Sequence, residues 1–298
     1  MKKQISILIG LILVVLPLRA QDKASAVPEI RLKTISQVNQ GNSYITFLGG
    51  LGNMDPLLYE ANLIPNFYIR KMGSRLMGVF TPQIILRMYR ETSSPVRTPS
   101  YKPQITIYYR TGKTKRLGYL SFFGRFAHHS NGQDGDFFLE NGEINTKSGD
   151  FTTNYVEFGV LKTGYFARFN AVHFFKASFQ VNPKSWSSKE LNGIFPFYRL
   201  HLMYTVFKLP VELKKGEKRK SSISLKGRVT WLFGDLNDWH PLSFNRFNFS
   251  FTFYYHPAFF EDIGFFVQYY HGFDYYNIHF EKQLRVLWAG IMTNVLRF

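Results

Sequence analysis

His128 and Ser130 stand two residues apart in a segment that reads as a β-strand. In an extended chain, side chains two apart share a face, which brings an imidazole within reach of a hydroxyl, the general base and nucleophile of acyl transfer. The strand runs from Tyr119 to Gly132. Its phase sets Leu120, Phe122 and Phe126 on the face of His128 and Ser130, with Ser121 and Arg125 on the other. The next strand opens at Thr153, where Asn154 shares a face with Val156, Phe158 and Val160. Sequential strands pair, so Asn154 can stand beside His128, accept a hydrogen bond from its second ring nitrogen and fix the tautomer. The competing reading takes all three as interfacial polar residues where strands leave a membrane. A zinc site is not expected, because His128 and His129 point to opposite sides and the chain has no Cys.

Strands carry these residues. Segments of period-two alternation recur from about Asn42 to the C-terminus, separated by turns rich in Gly, Asn, Asp, Ser and Lys. They number about twelve, centred near Ile45, Asn66, Val79, Ile105, Phe122, Phe158, Phe174, His201, Lys226, Phe251, Val267 and Ala289. The clearest runs from Phe247 to Phe253, with four Phe on one face and Asn248, Ser250 and Thr252 on the other. The chain holds 31 Phe and 18 Tyr, yet its mean hydropathy is only −0.16. A transmembrane barrel reconciles the two, because lipid-facing apolar residues alternate with lumen-facing polar ones. The fold expected is an all-β, antiparallel, up-and-down transmembrane β-barrel. If the Phe row meets lipid, His128, Ser130 and Asn154 face the bilayer. Arg87, Arg125 and Glu157 fall on the inward phase and are expected to pair and fill a narrow lumen.

The N-terminus has the order of a secretory signal: Lys2 and Lys3, an apolar run from Ile5 to Leu18, then Arg19 and Ala20. Residues 1–20 are therefore read as a cleaved signal, residues 21–42 as a polar lead and residues 43–298 as the barrel. The absence of Cys excludes disulfides and cysteine-linked lipid. The formal charge of +17 raises nucleic acid as a partner. Export argues against it, and Lys113 to Arg116 and Lys214 to Lys220 read as solvated turns. Trp186, Trp231, Trp239 and Trp288 read as interfacial belt residues.

At this point the chain resembles the outer-membrane phospholipase A family. The resemblance lies in His128, His129, Ser130, Asn131 and Gly132, in the stretch from Ser93 through Pro95 and Arg97 to Tyr101, Pro103 and Gln104, and in Asp274, Tyr276, Asn277, Arg285, Gly290, Asn294 and Phe298. It implies a twelve-stranded, calcium-dependent barrel in the outer membrane of a Gram-negative bacterium, active as a homodimer on membrane phospholipids. Carried over, Ser130 is the nucleophile, His128 the general base and Asn154 its orienting partner. Calcium would be held by the Gln133 carbonyl, by Ser148 or Asp150, and by Ser93 from a second copy. The segment between Gly132 and Asn154 departs from the family pattern, and Gln83 is the candidate support for Asn154. Two other functions stay open: a non-catalytic small porin or structural barrel, and a lipid acyltransferase using the same acyl-enzyme.

Overall fold

The computed structural model describes residues 30–112, 118–209 and 221–293. The signal segment, both Lys-rich turns and the terminal Phe298 lie outside the described residues. Fourteen antiparallel strands are joined in sequence order and closed on themselves. They are β1 (Tyr44–Thr46), β2 (Leu51–Gly52), β3 (Leu57–Leu63), β4 (Phe67–Ile69), β5 (Leu76–Tyr89), β6 (Ser100–Arg110), β7 (Leu120–Ser130), β8 (Thr152–Phe166), β9 (Ala171–Val181), β10 (Tyr198–Lys208), β11 (Ser222–Phe233), β12 (Phe247–His256), β13 (Ile263–Phe273) and β14 (Gln283–Thr293). Both β1 and β2 pair with β14, and both β3 and β4 pair with β5. Each couple is one interrupted stave, so the barrel has twelve staves, as the alternation predicts. The pairing of Tyr44 with Met292 closes it without a free edge. No described helix is long and apolar enough to cross a membrane.

Alternation is kept around the wall. On β6, Ile105, Ile107 and Tyr109 are exposed while Gln104, Thr106, Tyr108 and Arg110 are buried. On β12, Phe251, Phe253 and Tyr255 are exposed while Thr252 is buried. A belt of large apolar side chains thus faces outward and a polar set faces the lumen, the reverse of a soluble sandwich. Prolines accompany two gaps in the ladder, and Pro65 itself lies in the first. Pro82 faces Pro103 across β5 and β6, and neither can donate to its outer neighbour. Beside Pro82 the second stave breaks between β3 and β4, at the sequence-predicted centre Asn66. Beside Pro103 the pairing of β6 with β7 skips from Tyr101–Ser130 to Gln104–Ala127, opposite His128 and His129.

One element departs from the expected polar lead: α1 (Leu32–Gln40) lies inside the barrel. Leu32, Ile35 and Val38, three apart, pack on lumen-facing Met77, Val79, Tyr108, Phe123, Leu161 and Phe174. Asn39 Nδ2 donates to the Tyr108 hydroxyl at 2.9 Å. These contacts stand at the end of the barrel opposite Ser130. The end that carries Ser130 has the longer loops, and it is capped by a second cluster of Phe137, Phe151, Leu191, Phe195, Phe197, Ile278 and Phe280. The lumen between holds the expected charge networks. Arg87, 1% exposed, reaches Glu60 at 2.8 Å and Asp274 at 2.6 Å, and Glu157 takes Arg125 at 2.9 Å and Lys176 at 2.7 Å.

Candidate active site

The site lies on the outer wall at the long-loop end, where β7 stops and β8 starts. His128 faces Asn154 and Ser130 faces Thr152 across the pair. Phe122, Phe126 and Phe158 on the same rows are exposed. Inward-phase Ser121, Phe123, Ala127 and His129 are buried. The two histidines thus point to opposite sides. His129 Nε2 stands 2.7 Å from the buried Ser100 Oγ, and its ring meets the edge of Phe151.

His128 Nδ1 and Asn154 Oδ1 are 2.9 Å apart. The Asn154 amide Nδ2 donates to the Trp186 carbonyl at 2.8 Å. That second bond settles the first. With its NH2 group committed to a carbonyl, Asn154 presents only its oxygen to the ring, so the hydrogen must sit on Nδ1. In the neutral ring Nε2 is then the nitrogen with the free lone pair. Ser130 Oγ makes no hydrogen bond among the described residues, so of the expected Ser130–His128–Asn154 contacts only that of His128 with Asn154 is made.

Trp186 comes from the β9–β10 loop, which is strapped to the start of β8. Ser188 N donates to Thr152 O at 2.8 Å and Thr152 N donates to Ser188 Oγ at 3.1 Å. Thr153 Oγ1 and Ser187 Oγ are 2.8 Å apart. The indole, 47% exposed, meets the Phe126 ring edge-on at 6.2 Å. The expected support from Gln83 is not found. Gln83 faces the lumen, where its Nε2 donates to Asn62 Oδ1 at 2.9 Å. Pro82 before it belongs to the ladder gap. Trp288 is also not a belt residue, being buried among Phe266, Leu284 and Val286.

The expected metal donors fall in two loops at the same end. Gln133, Ser148 and Asp150 lie on the β7–β8 loop, a folded hairpin in which Gly135 N donates to Ser148 O at 3.0 Å and Asp150 N donates to Gly135 O at 2.8 Å. Asn131, fully buried, holds its base by donating to Gly149 O and accepting from Phe151 N. Asn145 donates to Ser148 Oγ at 3.0 Å. Ser93 sits exposed in the β5–β6 loop, with φ of 65°. Among the described residues no three His, Cys, Asp or Glu side chains converge on a metal position, so a cation here would need carbonyl and hydroxyl oxygens beside any carboxylate.

Fold and site together define a transmembrane β-barrel bearing an oriented histidine on its lipid-facing wall. No protein-family model matches the sequence, and no curated protein matches it. Among solved structures the chain is similar to the calcium-bound dimer of outer membrane phospholipase from Salmonella typhi, with TM-score 0.54 and 13% identity over 86% of this chain and 91% of that one. It is likewise similar to outer membrane phospholipase A from Escherichia coli, with TM-score 0.54 and 14% identity over 86% and 97%. An active-site mutant of that E. coli protein gives 0.51 and 13% over 94% and 96%. At these identities the likeness establishes the shared barrel architecture.

Proposed function

We propose that this chain is an outer-membrane phospholipase that hydrolyses acyl ester bonds of phospholipids from the lipid-facing side of its barrel. The observation that carries the reading is the His128–Asn154 bond on the exposed aromatic belt, two residues along the strand from Ser130. A catalytic face turned to lipid suits a substrate whose ester lies at the membrane interface. In the proposed reaction His128 Nε2 takes the Ser130 hydroxyl proton as Oγ bonds to the ester carbonyl carbon. The ester C–O bond then breaks, His128 returns the proton to the leaving lysolipid oxygen, and water attacks the acyl-serine by the same route. Asn154 holds the tautomer throughout and stabilises the imidazolium without taking its proton.

Calcium fits the donor types of the neighbouring loops. The Gln133 carbonyl, Ser148 and Asp150 are hard oxygen donors on one hairpin, and Asp150 precedes by two residues the Thr152 that faces Ser130. Ser93 of a second copy completes the set in a homodimer. Bound there, the cation would polarise the ester carbonyl. A cleaved signal over residues 1–20 and residence in the outer membrane of a Gram-negative cell belong to the same reading.

The porin alternative is opposed by the obstructions in the lumen, where α1, the Arg87 and Glu157 networks and the aromatic cap narrow the passage. The test is to incubate the refolded full chain with defined phospholipids and calcium and to detect fatty acid and lysolipid. Free fatty acid that disappears on chelation is the expected result. Acyl groups appearing on added alcohol or amine instead would identify a transferase, and conductance without hydrolysis would identify a pore.

A further inference from the structure

The lumen carries an imbalance of charge that the hydrolytic site does not use. Its cavity, about 350 Å³, is lined by six cations, Lys102, Arg125, Lys176, Arg199, Lys226 and Arg228, and by only two carboxylates, Glu157 and Asp274. Both carboxylates are already taken. Glu157 is shared by Arg125 and Lys176, and Asp274 receives two bonds from Arg87 at 2.6 and 2.8 Å. Lys102 and Arg199 donate to the backbone carbonyls of Tyr275 and Pro196, which satisfies hydrogen bonding and leaves their charge unneutralised. Lys226 and Arg228 have no hydrogen-bonding or ionic partner among the described residues. They are neighbours on one face of β11, and Met203 and Ser250 flank Arg228 while Thr205 and Thr252 flank Lys226. Thr252 donates to Gln268 Oε1 at 2.8 Å, so the Gln268 NH2 group keeps its donors for something else. Lys226 is half-buried and Arg228 exposed to this space, so the pair is open to an anion, which like charges clustered on one wall attract in competition with water.

We propose that the lumen is an anion-binding site that holds a free phosphate-class oxyanion against Lys226 and Arg228. A guanidinium fork matches two oxygens of such an anion, an ammonium meets a third as a point charge, and the Ser250 hydroxyl and Gln268 amide supply neutral donors. The charge of a divalent oxyanion offsets two cations, which one chloride does not. A phospholipid phosphate offers the same chemistry, but its acyl chains belong outside the wall. The site therefore takes the free ion. This inference stands independently of the hydrolytic reading.

Phosphate is offered during folding so that passage past α1 and the aromatic cap does not limit loading. The test is to refold the full chain in detergent with radiolabelled inorganic phosphate, wash with chloride at matched ionic strength, and measure retained phosphate per barrel. Retention near one per barrel is expected in the wild type, falling at least tenfold in the Lys226→Gln, Arg228→Gln double variant. A parallel arm with dioctanoyl phosphatidic acid should leave that retention unchanged. No phosphate retained by the wild type would overturn the proposal without reference to any variant. Equal retention by a folded double variant, or displacement by the lipid or by chloride, would show an adventitious ion only.

Discussion

His128 can act as a base through Nε2 only if its proton sits on Nδ1, and two hydrogen bonds arrange this. The Trp186 carbonyl orients Asn154, and Asn154 orients the ring. Replacing Asn154 with Ala frees the imidazole to rotate and exchange tautomers, so kcat should fall by roughly 10²-fold, about 2.7 kcal/mol in the barrier, with KM little changed. A steady-state comparison on one phospholipid in mixed micelles measures this, and an unchanged kcat would remove Asn154 from the relay. The outward phase of His128, Ser130 and Asn154 was legible because period two belongs to the strand itself and survives any tertiary detail. Trp186 was not legible. It contributes a backbone carbonyl from a loop 32 residues away, and a main-chain group carries no residue-type signal. Gln83 misled for a related reason: its position suggested a contact, while its parity places it in the lumen with Asn62.

The strap formed by residues 184–188 is the element on which this orientation depends. Thr153 on β8 and Ser188 on the strap supply the side-chain anchors between them, each hydrogen bond being worth about 1 kcal/mol. A Thr153→Val, Ser188→Ala double variant should loosen the carbonyl, broaden the His128 Nδ1 proton resonance and lower kcat several-fold while the barrel stays folded. A sharp, unshifted resonance would show that the strap does not set the tautomer. The cap above the lumen answers to pH through His279, which burial pulls down to about 4 from an ordinary value of 6.5. The folded cap holds it neutral, so the stability it contributes is complete above about pH 6.5 and is lost as pH falls toward 4. Hydrogen exchange in the turn Asn277–His279, corrected for intrinsic rates, should accelerate over that interval, and His279→Gln should flatten the response. All twelve staves were legible from alternation, whereas the breaks in the first two needed the ladder itself. Pro65, Pro82 and Pro103 are what pointed to a gap. The helix α1 was hidden because Leu32, Ile35 and Val38 are spaced among Lys, Gln, Asn and Ser, and a polar average masks an apolar stripe.

At the scale of the molecule, the barrel separates two environments that a single strand reads on alternate residues. The outer belt presents His128, Ser130 and Asn154 among exposed Phe, and the inner wall carries buried ion networks closed by α1 and the aromatic cap. A lumen obstructed by α1 and the cap predicts no steady ion conductance in planar bilayers, while deletion of residues 30–41 should open one and leave the outer wall intact. Stable conductance in the full chain would contradict the plugged lumen. The central claim is that Ser130 is the nucleophile of a lipid-facing hydrolase. Its most direct measurement compares the wild type with Ser130→Ala, both verified as folded by heat-dependent gel mobility, for fatty acid released from a defined phospholipid in the presence of calcium. Hydrolysis by the wild type and its loss to background in the variant is the result expected; equal release by the two proteins would contradict the claim.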